Sequence, residues 1–408
     1  MTKPPAASAT ATVPPTRTAS PTVRVPTSTT SPLDIRVRDE GVTQLELTEE
    51  FLALRRGQYL LYREGAIGEN EVNTLQVSYS SIDRQTRGAV LPSGSVESLY
   101  RTDPRIPDPW KVSWVRLYHD NPMYYVVQSN DTEQVLVRAL DLRDGEMHSW
   151  RLIARDGSGC HHIESLSPDG ELLPIVCRRG DVSALYLFDP VQGHGRSVLL
   201  DFYPCMRYAD RFLWLGQWID ADRIWAYCGA GEGGGSYDIS GCLAYVMTGE
   251  VTCREHADRL KAVSPDGERI ILFEEEPGYP DDYYYITDVE CLTDEAACQE
   301  LGRIEQMVAG LGSVFVWNHA GSEIAYSTAW SPTTTNFHTI LALVDGENFT
   351  LRVVAQGIPG AHYVLGFSPD DQWMLMEGGD VSVTWVSVAT GYLHQIADVG
   401  FLGWYVVP

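Results

Sequence analysis

Residues 162–176 read His162-Ile163-Glu164-Ser165-Leu166-Ser167-Pro168-Asp169-Gly170-Glu171-Leu172-Leu173-Pro174-Ile175-Val176. The stretch is a short apolar strand, a sharp corner and a second apolar strand. Pro168 presets φ for a turn, Asp169 can bond its own backbone, and Gly170 takes a positive φ without a Cβ clash. The same sentence recurs at residues 261–273 (KAVSPDGERIILF) and 364–376 (VLGFSPDDQWMLM). Worn copies stand at 215–227 (LGQWIDADRIWAY) and 314–326 (VFVWNHAGSEIAY). Self-similarity at a fixed period decides architecture first.

Corner markers fall near positions 56, 120, 168, 220, 265, 319 and 369. Apart from a first interval stretched by the Pro- and Ser-rich run 91–110, expected to be a long surface loop, the period is about 45 to 54 residues. Each unit holds four short strands, a and b around the corner and then a c–d hairpin. Residues 135–142 with 147–154, turning on Arg143-Asp144-Gly145, show such a hairpin, as do 182–188 with 197–202 and 242–247 with 251–254. Seven four-stranded antiparallel units predict an all-β fold, a seven-bladed β-propeller. Residues 401–407 (FLGWYVV) match strand a, with Trp404 where Trp218, Trp317 and Phe367 fall, and no corner follows. The first unit opens instead at strand b, residues 57–63 (GQYLLYR), followed by a strand at 74–82. The C-terminal strand is therefore expected to complete blade one and remove the open edges of the ring. The alternative is an eighth blade made from residues 33–50 and that same strand.

The corner phrase resembles the TolB-like, WD40-like propeller repeat, an aromatic or aliphatic residue followed by Ser-Pro-Asp-Gly and a strand. Ser167-Pro168-Asp169-Gly170 and Ser264-Pro265-Asp266-Gly267 match it fully; Ser368-Pro369-Asp370-Asp371 lacks only the glycine. The resemblance covers about residues 50–408. It implies the propeller fold, while relatives serve as periplasmic scaffolds, peptidase-associated domains and sugar or protein binders, so it names no function.

The chain has 408 residues, 44% hydrophobic and 21% charged, as in ordinary soluble proteins. Its 30 Lys and Arg against 55 Asp and Glu give a net charge of -25, which argues against a nucleic-acid backbone as partner. The acidic surface reads first as a solubility device, with a basic partner or bound cation as the alternative. Residues 1–32 hold nine Thr, seven Pro, five Ala and four Ser with no acidic residue. Such a segment is expected to be a disordered tether, leaving 33–408 as a single propeller domain. No apolar run of about 18 residues exists to span a membrane. A signal peptide is not legible after Met1.

Eight cysteines lie between 160 and 298, with no CxxC pair. Opposed residues in a hairpin have position numbers of constant sum, and around the Pro168 corner that sum pairs Cys160 with Cys177. Cys228 and Cys242 are expected to close a loop base, Cys291 and Cys298 to staple one connector, and Cys205 to join Cys253. Disulfides would place the protein in an extracytoplasmic compartment: cell surface, periplasm or secreted.

Gly229-Ala230-Gly231-Glu232-Gly233-Gly234 fits GxGxxG, but a strand rather than a helix follows, so it reads as a hairpin tip. Ser236 lacks a GxSxG elbow. Cys160-His161-His162 cannot offer both histidines to one ion, because neighbours on a strand point to opposite faces. His119-Asp120 reads as a turn. No cofactor, metal or catalytic set is expected. The informative signal is loop length. The b–c loops of blades four to six, read as 229–241, 274–282 and 328–337, carry Tyr237, Tyr279, Tyr283, Trp330 and Phe337, with Glu274, Glu275, Glu276, Asp281 and Asp282. Long loops on a rigid scaffold carry recognition, and Tyr and Trp give contact area at low entropic cost. The expected function is non-catalytic binding of a protein or glycan by a monomer. The alternative is a lyase or glycosidase with paired carboxylates at the central channel.

Overall fold

A buried serine hydroxyl organises each Ser-Pro-Asp-Gly corner. Ser167, Ser264 and Ser368 are 0%, 2% and 0% exposed, so each hydroxyl must find partners inside the protein. Ser167 Oγ donates to Asp169 Oδ1 at 2.5 Å and accepts from the Leu172 N–H at 2.9 Å. Ser368 repeats this with Asp370 (2.6 Å) and the Trp373 N–H (3.0 Å), and Ser264 with Asp266 and the Arg269 N–H. The aspartate also accepts from the N–H two residues on, at 3.1 Å from Glu171, Glu268 and Gln372. The fourth position is left-handed, φ 74° at Gly170, 70° at Gly267 and 57° at Asp371. In blade six Asn318 replaces the serine, its Oδ1 accepting from the Ser322 and Glu323 N–H groups at 2.9 and 3.0 Å. The repeat is thus a corner-making device, and its recurrence needs no ligand to explain it.

Ser264→Ala is expected to cost about 1–3 kcal/mol, because the Arg269 N–H loses its buried acceptor. The Ser264 hydroxyl, with the Glu268 N–H and the Arg269 charge, also holds the Asp266 carboxyl below its usual 3.8. A depressed carboxylate contributes stability above its unfolded value and loses it as pH falls through the folded one. Acid titration of thermal stability should therefore show a shallower loss below about pH 4 in Asp266→Asn than in wild type. Equal acid slopes would remove Asp266 from the account.

The computed structural model describes residues 23–24, 34–64, 76–92, 95, 111–115, 122–129, 134–155, 159–163, 166–179, 182–198, 211–230, 240–254, 259–274, 283–304, 311–333, 336–378, 382–397 and 399–407. They form seven antiparallel blades. Strands a to d are Gly159–Ile163, Leu173–Arg179, Val182–Asp189 and His194–Val198 in blade three, and Arg259–Val263, Arg269–Glu274, Tyr283–Asp288 and Gly302–Ile304 in blade five. Blade six is Leu311–Trp317, Glu323–Thr333, Asn336–Asp345 and Leu351–Pro359; blade seven is His362–Phe367, Trp373–Gly378, Ser382–Ser387 and Leu393–Ala397.

Two blades carry a fifth, outermost strand. Ile35–Gln44 pairs with Glu146–Ala154, the last of Lys111–Val115, Met123–Ser129, Gln134–Asp141 and Glu146–Ala154 in blade two. Val23–Arg24 pairs with the outer strand of blade four, whose own strands are Arg211–Trp218, Arg223–Ala230, Ser240–Tyr245 and Val251–Arg254. Blade one is closed by the chain's end, in the order Val399–Val407, Gly57–Glu64, Gln76–Ser81 and Arg87–Ala89, with Gly57 opposite Val407. The eighth-blade alternative is overturned, since Ile35–Gln44 sits on blade two and the C-terminal strand on blade one.

The core is seven clusters, one in each gap between neighbouring blades. Successive residues of a strand face opposite neighbours: Ile270 and Leu272 pack toward blade four, Ile271 toward blade six. Tyr125 and Val127 likewise face blade three, Tyr124 and Val126 blade one. The seventh cluster joins Leu60, Tyr62, Val399 and Trp404 to Leu375, Val383 and Trp385, so the ring is continuous. Trp218, Trp317, Phe367 and Trp404 are buried at 6%, 6%, 4% and 7% exposure and belong to this packing.

Residues 91–110 do not begin as a surface loop. Leu91 is fully buried beside Val90 in the cluster between blades one and two, with Leu45, Leu47 and Phe51. Thr48 ties that segment down: its N–H donates to Val90 O at 3.0 Å and its hydroxyl accepts from the Phe51 N–H at 3.2 Å. Most of the remainder of that run lies outside the described residues.

Cys160–Cys177 and Cys291–Cys298 are disulfides, as the sequence predicts. The third described disulfide is Cys242–Cys253. It replaces the expected Cys228–Cys242 and Cys205–Cys253 pairings. Cys242 faces Ala226 across the b–c ladder and Cys253 across the c–d ladder, with Cα atoms 4.0 Å apart in the latter, while Cys228 faces Ser240. Cys205 lies outside the described residues.

Candidate recognition face

The two faces of the ring are used differently. On the face of the a–b corners and c–d turns, many aspartate side chains are spent on backbone. Asp141 accepts from the Arg143 N–H (2.8 Å), Asp189 from Val191 and Gln192 (2.9 and 2.8 Å), and Asp345 from Glu347 and Asn348 (both 2.9 Å). The two N–H groups on Asp345 hold its carboxyl below the usual range. Blades are also locked together here. Arg269 donates to Gly346 O at 2.7 Å and Gly321 O at 3.1 Å, with its guanidinium 4.7 Å from the Trp317 ring centroid. Asp371 accepts from the His319 and Ala320 N–H groups at 3.0 and 3.2 Å.

The opposite face carries the b–c and d–a connections. Strand b of blade four ends at Ala230 and strand c begins at Ser240; in blade five the corresponding residues are Glu274 and Tyr283. The intervening 231–239 and 275–282 lie outside the described residues, and with them Tyr237, Glu275, Glu276, Tyr279, Asp281 and Asp282. Blade one has a comparable b–c connection, 65–75, between Glu64 and Gln76. Sequence reading overlooked it because its Gly, Glu and Asn residues carry no aromatic signal.

Blade six departs from expectation. Residues 328–337 are mostly strand rather than loop: Trp330 pairs with His338 and Thr333 with Asn336 in the ladder. The register shifts between Trp330 and Thr333, which absorbs Pro332 where no ladder N–H is needed. The neighbouring β-branched threonines favour the strand.

Of the predicted residues, Glu274 and Tyr283 face each other at the tip of the blade-five b–c hairpin. The Tyr283 ring lies beneath the Arg303 guanidinium, 3.7 Å from its centroid, while Arg303 also donates to Glu300 at 3.2 and 3.1 Å. Arg303 was missed by sequence reading; its place opposite Tyr285 on strand d brings it to Tyr283 only once the ladder is known. Phe337 is half-buried, and its carbonyl accepts from the Gly360 N–H at 2.9 Å, tying it to the turn into blade seven. Beneath that turn, His362 is fully buried with Nε2 3.2 Å from Ser382 Oγ, and Gln395 donates to the same oxygen at 3.1 Å. Toward the inner strands of blades five and six, Lys261 lies over Phe273 (5.2 Å), and Tyr284, Phe315 and Tyr326 follow in contact. Among the described residues no group of three or more His, Cys, Asp or Glu side chains is placed to hold a metal ion.

No protein-family model matches this sequence, and no curated protein matches it. Solved structures do. A putative 6-phosphogluconolactonase from Bacteroides uniformis superposes with a TM-score of 0.50 at 14% identity, covering 85% of this chain and 97% of that one. A post-proline cleaving enzyme from Rickettsia typhi gives 0.50 at 9% identity, over 86% of this chain and 52% of that one. TolB from Acinetobacter baumannii, whose repeat the corners resemble, gives 0.39 at 13% identity over 90% and 83%. The chain is a seven-bladed β-propeller. Neighbours with such different descriptions share the scaffold alone, so function must be argued from the site.

Proposed function

We propose that this protein is a non-catalytic extracytoplasmic propeller that recognises a protein or glycan through the face bearing the b–c connections of blades four and five. The observation that carries this reading is the asymmetry of the faces. One is consumed by tight turns and interblade hydrogen bonds, while the other presents the long connections from adjacent rigid hairpins. Tyr283 and Arg303 sit at the root of the blade-five connection, an aromatic and a cation of the kind enriched at interfaces. The three disulfides among the described residues fit an oxidising compartment. The Tyr, Glu and Asp residues of 274–283 suit a partner offering basic or hydroxyl-rich groups.

Replacing residues 275–282 by a short Gly/Ser turn should abolish capture of the partner from envelope extract of the source cells. Thermal stability should stay within about 1 kcal/mol of wild type, since the core clusters of blades four to six are left intact. The same pair of proteins on a glycan array separates a sugar from a protein ligand. Equal retention by both proteins in both formats overturns the reading and moves attention to the central channel.

A further inference from the structure

Between strands c and d of blade five the chain makes an insert of two short 3-10 turns, Val289–Leu292 and Glu295–Ala297, crossed by Cys291–Cys298. Its two sulfurs live in different surroundings. Cys291 is 0% exposed, in the cluster with Val289, Leu292 and blade-four residues Trp225 and Leu243. Cys298 is only partly buried and packs at the margin of that cluster. The Arg254 guanidinium, from the outer strand of blade four, donates to Cys291 O at 3.1 Å and stands 3.8 Å from Cys298 Sγ. The insert is otherwise acidic, with Glu290, Asp294, Glu295 and Glu300, and Arg303 engages Glu300. By contrast both half-cystines of Cys160–Cys177 and Cys242–Cys253 are at most 5% exposed within the ladders.

We propose that Cys291–Cys298 is a thiol–disulfide exchange site, with Cys298 as the reacting sulfur, Cys291 as the resolving one and Arg254 as the positioning residue that stabilises the Cys298 thiolate. Its co-reactant is a dithiol. A thiolate of that dithiol attacks Cys298 Sγ, forming a mixed disulfide. The Cys291–Cys298 bond breaks, and Cys291 leaves with the electron pair and takes a proton. The second thiolate of the dithiol then attacks its own sulfur in the mixed disulfide, releasing Cys298 as a thiolate beside Arg254. Two electrons pass to the protein and the dithiol becomes a disulfide. In reverse, the Cys298 thiolate attacks an incoming disulfide and Cys291 resolves it. A reachable, cation-stabilised thiolate next to a buried partner is the arrangement that makes a cysteine pair responsive.

The test titrates the full-length folded protein with dithiothreitol, traps thiols with iodoacetamide at pH 7 and maps the alkylated peptides by mass. Cys291 and Cys298 should open at the lowest reductant concentration, Cys298 alkylating first, while Cys160–Cys177 and Cys242–Cys253 stay linked and near-UV circular dichroism is retained. In Arg254→Leu the Cys298 alkylation rate after reduction should fall on the order of tenfold, as a rise of one unit in thiol pKa implies. Arg254→Lys should restore most of that rate, which separates charge from packing. Opening of Cys160–Cys177 and Cys242–Cys253 together with Cys291–Cys298, Cys291 alkylating before Cys298, or unchanged Cys298 kinetics in Arg254→Leu would each overturn the proposal.

Discussion

Removal of residues 399–407 is expected to abolish the folded ring. That strand supplies Val399, Leu402 and Trp404 to the core at 3%, 2% and 7% exposure. It serves two clusters at once, since Leu402 packs in the gap between blades one and two and the other two in the gap between seven and one. Deleting one large buried side chain costs about 2–5 kcal/mol, and three together approach the ~5–15 kcal/mol that holds a typical domain folded. The deletion also strips the ladder from Gly57–Glu64, leaving an unpaired edge. The truncated chain should lose near-UV circular dichroism and become uniformly sensitive to protease. A peptide of residues 399–408 added in trans should restore part of both signals. Cooperative unfolding at the wild-type midpoint would show that the ring does not depend on this closure.

Trp385→Ala is the point substitution expected to do most damage. The indole is 1% exposed on strand c of blade seven, and its Nε1–H donates across the seam to Ile82 O at 3.1 Å. The His394 ring stacks at 5.5 Å and the Arg84 guanidinium lies at 5.2 Å. Loss of the ring should lower stability by about 3–5 kcal/mol, read as a shift in urea midpoint at constant slope. Trp385→Phe keeps most of the apolar contact but leaves the Ile82 carbonyl without this donor, and should cost about 1–2 kcal/mol. If the two variants were equally damaging, the hydrogen bond rather than the packing would hold the seam.

The fold was legible because one local device repeats. Ser167, Ser264 and Ser368 each sit in the same corner, which Pro, Asp and a left-handed residue favour, so the physics wrote a phrase that periodicity could find. The closing strand was legible for the same reason, with Trp404 in the place of its counterparts. The Cys242–Cys253 bridge was also within reach: the constant-sum rule that pairs Cys160 with Cys177, applied to the hairpin around Met247 and Thr248, pairs these two as well. It was lost by reasoning about a loop base instead of a ladder. Blade six was not legible, because the length of a hairpin depends on its partner strands, and Ser331-Pro332-Thr333 looks the same at a bulge as in a loop. Ile35–Gln44 as an outer strand was hidden too, since its exposed, mixed pattern carries little period-two signal and its partner lies about a hundred residues on. The site residues were singled out by composition, and composition cannot bring Arg303 onto Tyr283; only the strand register does.

The pairing of Gly57–Glu64 with the chain's last strand also sets a timetable. The Trp385–Ile82 bond spans 303 positions, and no seam contact of this kind can form until both blade seven and residues 399–407 have been made. The strands a to d of blades two to seven come from neighbouring segments and can assemble as they appear, but blade one waits with one edge open. Contacts of such long sequence separation come late and slowly, and the waiting interval is when an unpaired strand meets other chains. Refolding yield should therefore be governed by how quickly Val399–Val407 finds Gly57–Glu64, and refolding at low chain concentration should favour the closed ring over aggregates.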